Sequence, residues 1–393
     1  MYTYAKINKE TLKFIRETKQ LSFEYIERIT KFPEEKILLW EDDSSQKYPT
    51  INQAKIIAKC YRVPFAGLYM NSYDIDIKHL PPLRNLRTLP EPIIDNSAIN
   101  LAIIDVLSAR DLLMESQNII EISAQPFSLH ITIPDDTERW ASIIRTSIGL
   151  KTDYQYKLSS SRKLYLHLRD LVEKKGVFVH GFDGVDSNIV RGFAIYEDYL
   201  PVIGINNNDR PPAKSFTIIH ELVHLMKRSS TICNDMNNSF CQKTEEIFCN
   251  AVAGEVLVPK ANLISQLGSY TSDEIDLNII RSLANKFSVS KEVICRRLLD
   301  INRISKNKYV HLIDTIQAQF KQEREATKEQ ISLTGKGIPR NIPREVIDHN
   351  STTLCKTLYA GFDTGYFDKQ DIARYFGVKH KHIDTILSEV SRW

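Results

Sequence analysis

Between residues 220 and 224 the chain reads His-Glu-Leu-Val-His. On a helix, positions four apart share a face, so His220 and His224 can offer two imidazoles to one ion. Glu221 follows the first histidine and can reach a water held on that ion, where a carboxylate serves as general base. A chain with 10 His and 49 acidic residues shows this pattern by accident on the order of one time in a hundred, so the flanking residues decide its meaning. The competing reading is a solvated helix face. Ser215 to Lys227 predicts a helix, because Phe216, Ile219, Leu222, Val223 and Met226 form an apolar stripe at spacings of three and four. Ser215 is the expected N-cap, and Pro211 and Pro212 are expected to end whatever precedes it. Leu200 to Ile205 predicts a strand running into the turn Asn206–Asn208. Strand, turn and helix in that order suit a metallopeptidase, where an extended substrate often pairs with a sheet edge beside the metal.

A zinc site needs a third protein ligand and an open fourth position. The segment Glu245-Glu246-Ile-Phe-Cys-Asn250-Ala-Val-Ala-Gly-Glu-Val-Leu-Val-Pro259 supplies a candidate. Glu246 and Asn250 lie four apart on one face, so the carboxylate could bind metal while the amide orients a ligating histidine. Ala251, Ala253 and Gly254 would let this helix approach the first closely. HELVH followed after about twenty residues by E-x-x-x-N-A-x-A-x-E-x-L-x-P resembles the ImmA/IrrE family of zinc metallopeptidases, glutamate zincins that typically cleave a partner repressor. That resemblance implies a Zn2+ cofactor, His220, His224 and Glu246 as ligands, Glu221 as general base, and Asn250 behind a ligand. It extends over about residues 160–305 through Arg191-Gly-Phe-Ala194, Pro201-Val-Ile, Asn206, Phe216-Thr217 and the helix-turn-helix-like Leu283–Leu298. Gly254 departs from it, standing where the family usually has alanine, at about 1 kcal/mol of helix propensity.

The first seventy residues predict five short helices, at Lys9–Thr18, Ser22–Thr30, Pro33–Glu41, Thr50–Tyr61 and Pro64–Met70, with Ser22, Pro33 and Thr50 at starts. Trp40-Glu41, Pro49-Thr50 and Ile57-Ala58 resemble an Xre/Cro-type helix-turn-helix module, a known companion of ImmA/IrrE domains. Yet Pro33–Asp43, in the recognition-helix position, carries five acids and one base, and the Trp40–Pro49 connection lacks the glycine expected there. Phosphates attract Lys and Arg, so an acidic helix argues against DNA. DNA reading and a protein-docking or dimerisation role both stay open.

The expected fold class is α+β, with an all-α Xre-like helix-turn-helix domain over 1–72 and a linker and helical connector over 73–155. A zincin-like domain of small sheet and helices follows over 156–305, then a helical C-terminal region over 306–393. His79 to Pro92 is broken by prolines and reads as linker; Ala98–Asn118 and Pro134–Gly149 read as helices. Gln317–Gln330 reads as a charged helix, Thr334–Pro343 as a loop, and Asp371–Ile386 as a second helix-turn-helix-like segment. A net charge of +3 is too small to declare a nucleic-acid partner, and the basic cluster Lys291–Lys308 reads as a solvated helix face. No apolar run approaches 18 residues and the N-terminus has no signal-peptide core, so no membrane partner is expected and the location expected is the cytoplasm. The six cysteines form no C-x-x-C pair and read as free thiols, although Cys233, Cys241 and Cys249 recur every eight residues near the site. His79, His130, His167, His180, His311 and His349 stand outside any ligand spacing, and His380 and His382, alternating with lysines, read as a solvated turn rather than metal ligands. The reading reached is a zinc endopeptidase acting on a regulatory, repressor-type protein in transcription, stress or mobile-element control. The rivals are a DNA-binding transcriptional regulator whose zinc domain is a sensor, and a non-catalytic scaffold.

Overall fold

The computed structural model describes residues 3–75, 77–85, 95–122, 126–131, 136–158, 160–233, 244–334 and 340–393. The chain divides into two compact units, Met1–Pro82 with Leu89–Asp111 and Phe182–Asp186, and Leu83–Thr88 with Leu112–Gly181 and Ser187–Trp393. The sequence reading sets the first domain at 1–72 and the proline-broken stretch His79–Pro92 in the connector that follows.

In the first unit, β-branched and aromatic residues at helical spacing build a small core beneath α1 (Lys9–Thr18), α2 (Phe23–Thr30), α3 (Glu34–Glu41) and α4 (Ile51–Cys60). Leu12, Ile15, Ile26, Ile37, Trp40, Ala54, Ile57 and Leu68 meet there. Asn8 and Ser22 cap α1 and α2, and Thr50 forms a capping box with Gln53 at α4. Phe65–Tyr69, expected as part of a fifth helix, is a 3-10 turn. Arg16 clamps the buried Glu41 carboxylate through Nε and Nη2, each at 2.8 Å. Lys9 donates to the Asp42 and Ser45 carbonyls at 2.8 and 2.6 Å, closing the end of α3. Ser22 N–H donates to Ser97 Oγ at 2.8 Å, so α5 (Ser97–Ile119) begins against this core.

The second unit carries a five-stranded sheet among the described residues, in the order β1-β5-β3-β4-β2. Its strands are β1 (Arg84–Asn85), β2 (Phe178–Phe182), β3 (Gly192–Ile195), β4 (Val202–Asn206) and β5 (Thr231–Cys233). β3 and β4 are antiparallel with Phe193 opposite Gly204; β5 is antiparallel to β3, and β1 is parallel to β5. β3 and β4 are buried at every position, which explains their unbroken apolar runs: both faces are covered. β4 is therefore an interior strand, and the sheet edge anticipated beside the metal is not β4 itself. Part of the expected linker, Arg84–Asn85, is a sheet strand; residues 86–92 lie outside the described residues.

Helices surround this sheet: α6 (Thr137–Ile148), α7 (Thr152–Lys157), α8 (Ser161–Glu173), α9 (Pro211–Met226), α10 (Thr244–Leu257), α11 (Lys260–Leu267), α12 (Leu277–Phe287) and α13 (Lys291–Asp300). α9 packs on α8 and α10 and against β3 and β4. It begins four residues before the expected Ser215, because Pro211 and Pro212 occupy its first turn, where a missing N–H costs nothing. Beyond it run α14 (Lys306–Thr334), α15 (Ile342–His349), α16 (Thr352–Asp363), α17 (Lys369–Tyr375), a 3-10 turn His380–His382 and α18 (Ile383–Val390). α14 contains the expected charged helix; residues 335–339 of the expected loop lie outside the described residues. α15 and α16 attach to α8 through buried polar groups. Arg169 donates to the carbonyls of Ile347 and Asp348 at 2.8 and 3.0 Å, while Glu173 accepts the N–H groups of Thr352 and Thr353 at 3.2 and 2.8 Å. One helix thus covers the C-terminus of α15 with a cation and the N-terminus of α16 with an acid. Among the described residues, no single helix is long and apolar enough to cross a membrane.

Candidate metal centre

From Ala213 to Met226 every residue of α9 is buried, its polar residues Lys214, Ser215, Thr217, His220, Glu221 and His224 along with its apolar stripe. His220, Glu221 and His224 are therefore held out of water at 3%, 0% and 0% exposure. Three ionisable groups in such a place require partners, and α10 brings one. Glu246, 2% exposed, places Oε1 2.9 Å from His224 Nε2 and Oε2 3.4 Å from His220 Nε2. The two Nε2 atoms stand 3.2 Å apart. These are the side chains expected as ligands, and the packing of α9 on α10 joins them across a sequence gap of about twenty residues.

The donor set fits a divalent metal. Ligand atoms around a tetrahedral ion bound at about 2.0–2.1 Å lie about 3.4 Å from one another, close to the three separations here. Nearest polar atoms of His220, His224 and Glu246 all fall within 4.8 Å of one another. Two imidazole nitrogens at 3.2 Å otherwise oppose lone pairs unless a proton or a cation lies between them. Burial works against the Glu246 carboxylate, but His220 and His224 outweigh it and hold the group well below the usual carboxylate range. That direction favours the carboxylate form that a metal ligand needs.

The far sides of the two rings differ. His224 Nδ1 lies 3.4 Å from Glu245 Oε1 and 3.8 Å from Cys249 Sγ. Burial pushes the Cys249 thiol up, so it stays neutral. His220 Nδ1 is buried without a hydrogen-bond partner, and so are Nδ2 and Oδ1 of Asn250. Asn250 thus makes none of the histidine contact expected of it in this structure, although a bond between these groups would satisfy both.

Gly192, quoted above only as part of a strand, matters to the site. A Cβ there would stand 2.4 Å from Thr217 Cγ2, 3.0 Å from the Gly204 carbonyl and 3.1 Å from Glu221 Oε1. β3 can approach the Glu221 carboxylate this closely only without a side chain. Gly254 likewise has a spatial reason. Its added Cβ would meet Arg297 Cδ at 3.0 Å, and Arg297 is a buried cation paired with Glu255 and donating to the Val258 carbonyl at 3.2 Å. The basic cluster Lys291–Lys308 is accordingly not a uniform surface: Arg297 is internal, and Arg296 pairs with Asp300 at 3.0 Å. Among the described residues, His220, His224 and Glu246 form the one such ligand group. His180 is instead a half-buried β2 residue stacked on Phe178, and desolvation lowers its pKa to about 3. Cys60, Cys249, Cys295 and Cys355 are buried free thiols; Cys241 and the Cys233 side chain lie outside what is described.

A buried helix with two histidines and a second helix packed on it that adds a carboxylate form a group that could hold a metal ion. Residues 172–299 match the family model of peptidase M78, described as the IrrE N-terminal-like domain. That match is in keeping with the resemblance to the ImmA/IrrE family. A search of curated proteins found no match. Among solved structures, a Mycobacterium tuberculosis transcriptional regulator aligns over 49% of this chain at 16% identity, with a TM-score of 0.29. The alignment spans about half of that protein, 51% of its length.

Proposed function

We propose that this chain is a zinc-dependent endopeptidase of ImmA/IrrE type that cleaves a regulatory, repressor-type protein in the cytoplasm. The observation that carries the reading is the convergence of His220, His224 and Glu246 with the neighbouring acid Glu221 buried on the same helix. His220, His224 and Glu246 would hold the ion. Zinc bound there supplies Lewis acidity toward water and a scissile carbonyl. Glu221 would take the proton of the attacking water at its carboxylate and deliver it to the leaving amine. β3 at Gly192 backs that carboxylate and limits its movement, which keeps the base in one position. Asn250 would orient His220 from behind, through the buried groups that each needs satisfied.

In this reading residues 156–305 are the catalytic domain, and 1–72 an Xre-like helix-turn-helix module joined through 73–155, with 306–393 a helical C-terminal region. The exposed side chains of α3 are Glu34, Glu35 and Leu38, followed by the exposed Asp42 and Asp43. Its one base, Lys36, lies over the rings of Phe32 and Trp40 at 5.2 and 5.3 Å. Such a face suits a protein partner better than a phosphate backbone, so the module is assigned to substrate docking in preference to DNA reading.

The test pairs two variants of the full chain. Glu221→Gln should keep about one divalent ion per chain and lose cleavage of repressors encoded nearby by at least about two orders of magnitude. The double variant His220→Ala, His224→Ala should lose the ion by elemental analysis. Equal metal content in parent and double variant overturns the site, and undiminished cleavage by Glu221→Gln overturns the base.

A further inference from the structure

We propose that Glu245 is a positioning residue of the metal centre, holding His224 as the Nδ1–H tautomer so that Nε2 is the atom offered to the ion. The inference rests on the metal reading and adds a residue to it. His224 is fully buried, and its two ring nitrogens face different surroundings. Nε2 meets Glu246 at 2.9 Å and His220 Nε2 at 3.2 Å, whereas Nδ1 meets Glu245 Oε1 at 3.4 Å and Cys249 Sγ at 3.8 Å. A neutral imidazole carries one proton, and the acceptor on its far side selects which nitrogen keeps it. Of the two neighbours of Nδ1, a neutral thiol is a weak acceptor and a carboxylate a strong one. Glu245 precedes the ligand Glu246 in the first turn of α10, so one turn supplies both sides of the ring: Glu246 beside Nε2 and Glu245 beside Nδ1. The Glu245 side chain keeps 21% exposure.

A carboxylate at a helix N-terminus also favours the helix by itself, and the experiment separates that role from the proposed one. Zinc affinity of the full chain is measured by competition with a chromogenic chelator for the parent, Glu245→Gln, Glu245→Ala and Cys249→Ala, with thermal melting of each metal-free form alongside. Glu245→Gln keeps an oxygen acceptor at the same reach and removes the charge. The expected result is a loss of affinity of about 10–100-fold in Glu245→Ala, with Glu245→Gln close to the parent and Cys249→Ala unchanged. The metal-free melting temperature of Glu245→Ala should not fall in proportion. The proposal is overturned if Glu245→Ala binds zinc as tightly as the parent, or if Cys249→Ala is the variant that weakens binding. It is also overturned if Glu245→Gln is as weak as Glu245→Ala, which would mark a helix-terminus charge effect. A parent chain that binds no zinc fails the metal reading itself, an outcome distinct from these.

Discussion

On α9, His220 and His224 meet Glu246, and Glu221 lies beside a β3 position that has no side chain. Gly192 brings the backbone of β3 against Thr217 and Glu221, and a methyl there would stand 2.4 Å from Thr217 Cγ2. Gly192→Ala should destabilise the fold by about 1–3 kcal/mol through overpacking, measured by chemical denaturation. Thr217→Ser in the same chain removes the crowded methyl and should return part of that loss; no recovery would show that the strain falls on the Gly204 carbonyl instead. His220, Glu221 and His224 were legible in the sequence because a four-residue spacing is a local property of any helix. Glu246 was legible only through its neighbours in a motif. The roles of Glu245 and Gly192 were not legible, because they depend on how β3 and α10 approach α9.

At the scale of elements, composition predicted helices well and their ends less well. Two prolines read as a terminator are the first turn of α9, since proline lacks only an N–H that the first turn leaves unbonded. Gly254 read as a weak point in α10, yet it faces Arg297 Cδ at 3.0 Å. Gly254→Ala should therefore gain less than the roughly 1 kcal/mol that helix propensity alone suggests, because Arg297 must move. Arg297→Ala should cost about 3–5 kcal/mol by leaving Glu255 buried without its cation, read from the denaturation midpoint. α3 carries a prediction of its own. The full chain should bind duplex DNA weakly even at low salt, where phosphate contacts are strongest. Nanomolar, sequence-specific binding at moderate salt in a gel-shift titration would show that the acidic face is not what meets the nucleic acid.

Across the second unit, α8 joins α9 to the C-terminal helices through buried, partnered polar groups. Burial, against Arg169 and the hydrogen bonds of Thr353 and Ser351, lifts the Glu173 carboxyl to about 7. Its folded pKa thus lies above the ordinary 4.5, so the folded state binds the extra proton. The stability from this group is full below about pH 4.5 and is lost as pH rises through about 7. His180 runs the other way: its pKa of about 3 means stability lost as pH falls below its ordinary 6.5. Comparing parent with Glu173→Gln cancels His180 and the other groups, and the variant should lose less melting temperature than the parent between pH 5 and pH 8. Identical slopes would mean that Glu173 stays ionised throughout. Helical periodicity, caps and the His-Glu-x-x-His spacing are decided by residues within a turn or two of each other, so the sequence by itself determined most helices and the pairing of His220 with His224 on one face. The order of the strands, the burial of α9, the meeting of Glu246 with the histidines and the attachment of α15 and α16 to α8 were decided only by tertiary structure. These depend on contacts between segments up to 186 residues apart, whose free energies come from shared burial that no local pattern records.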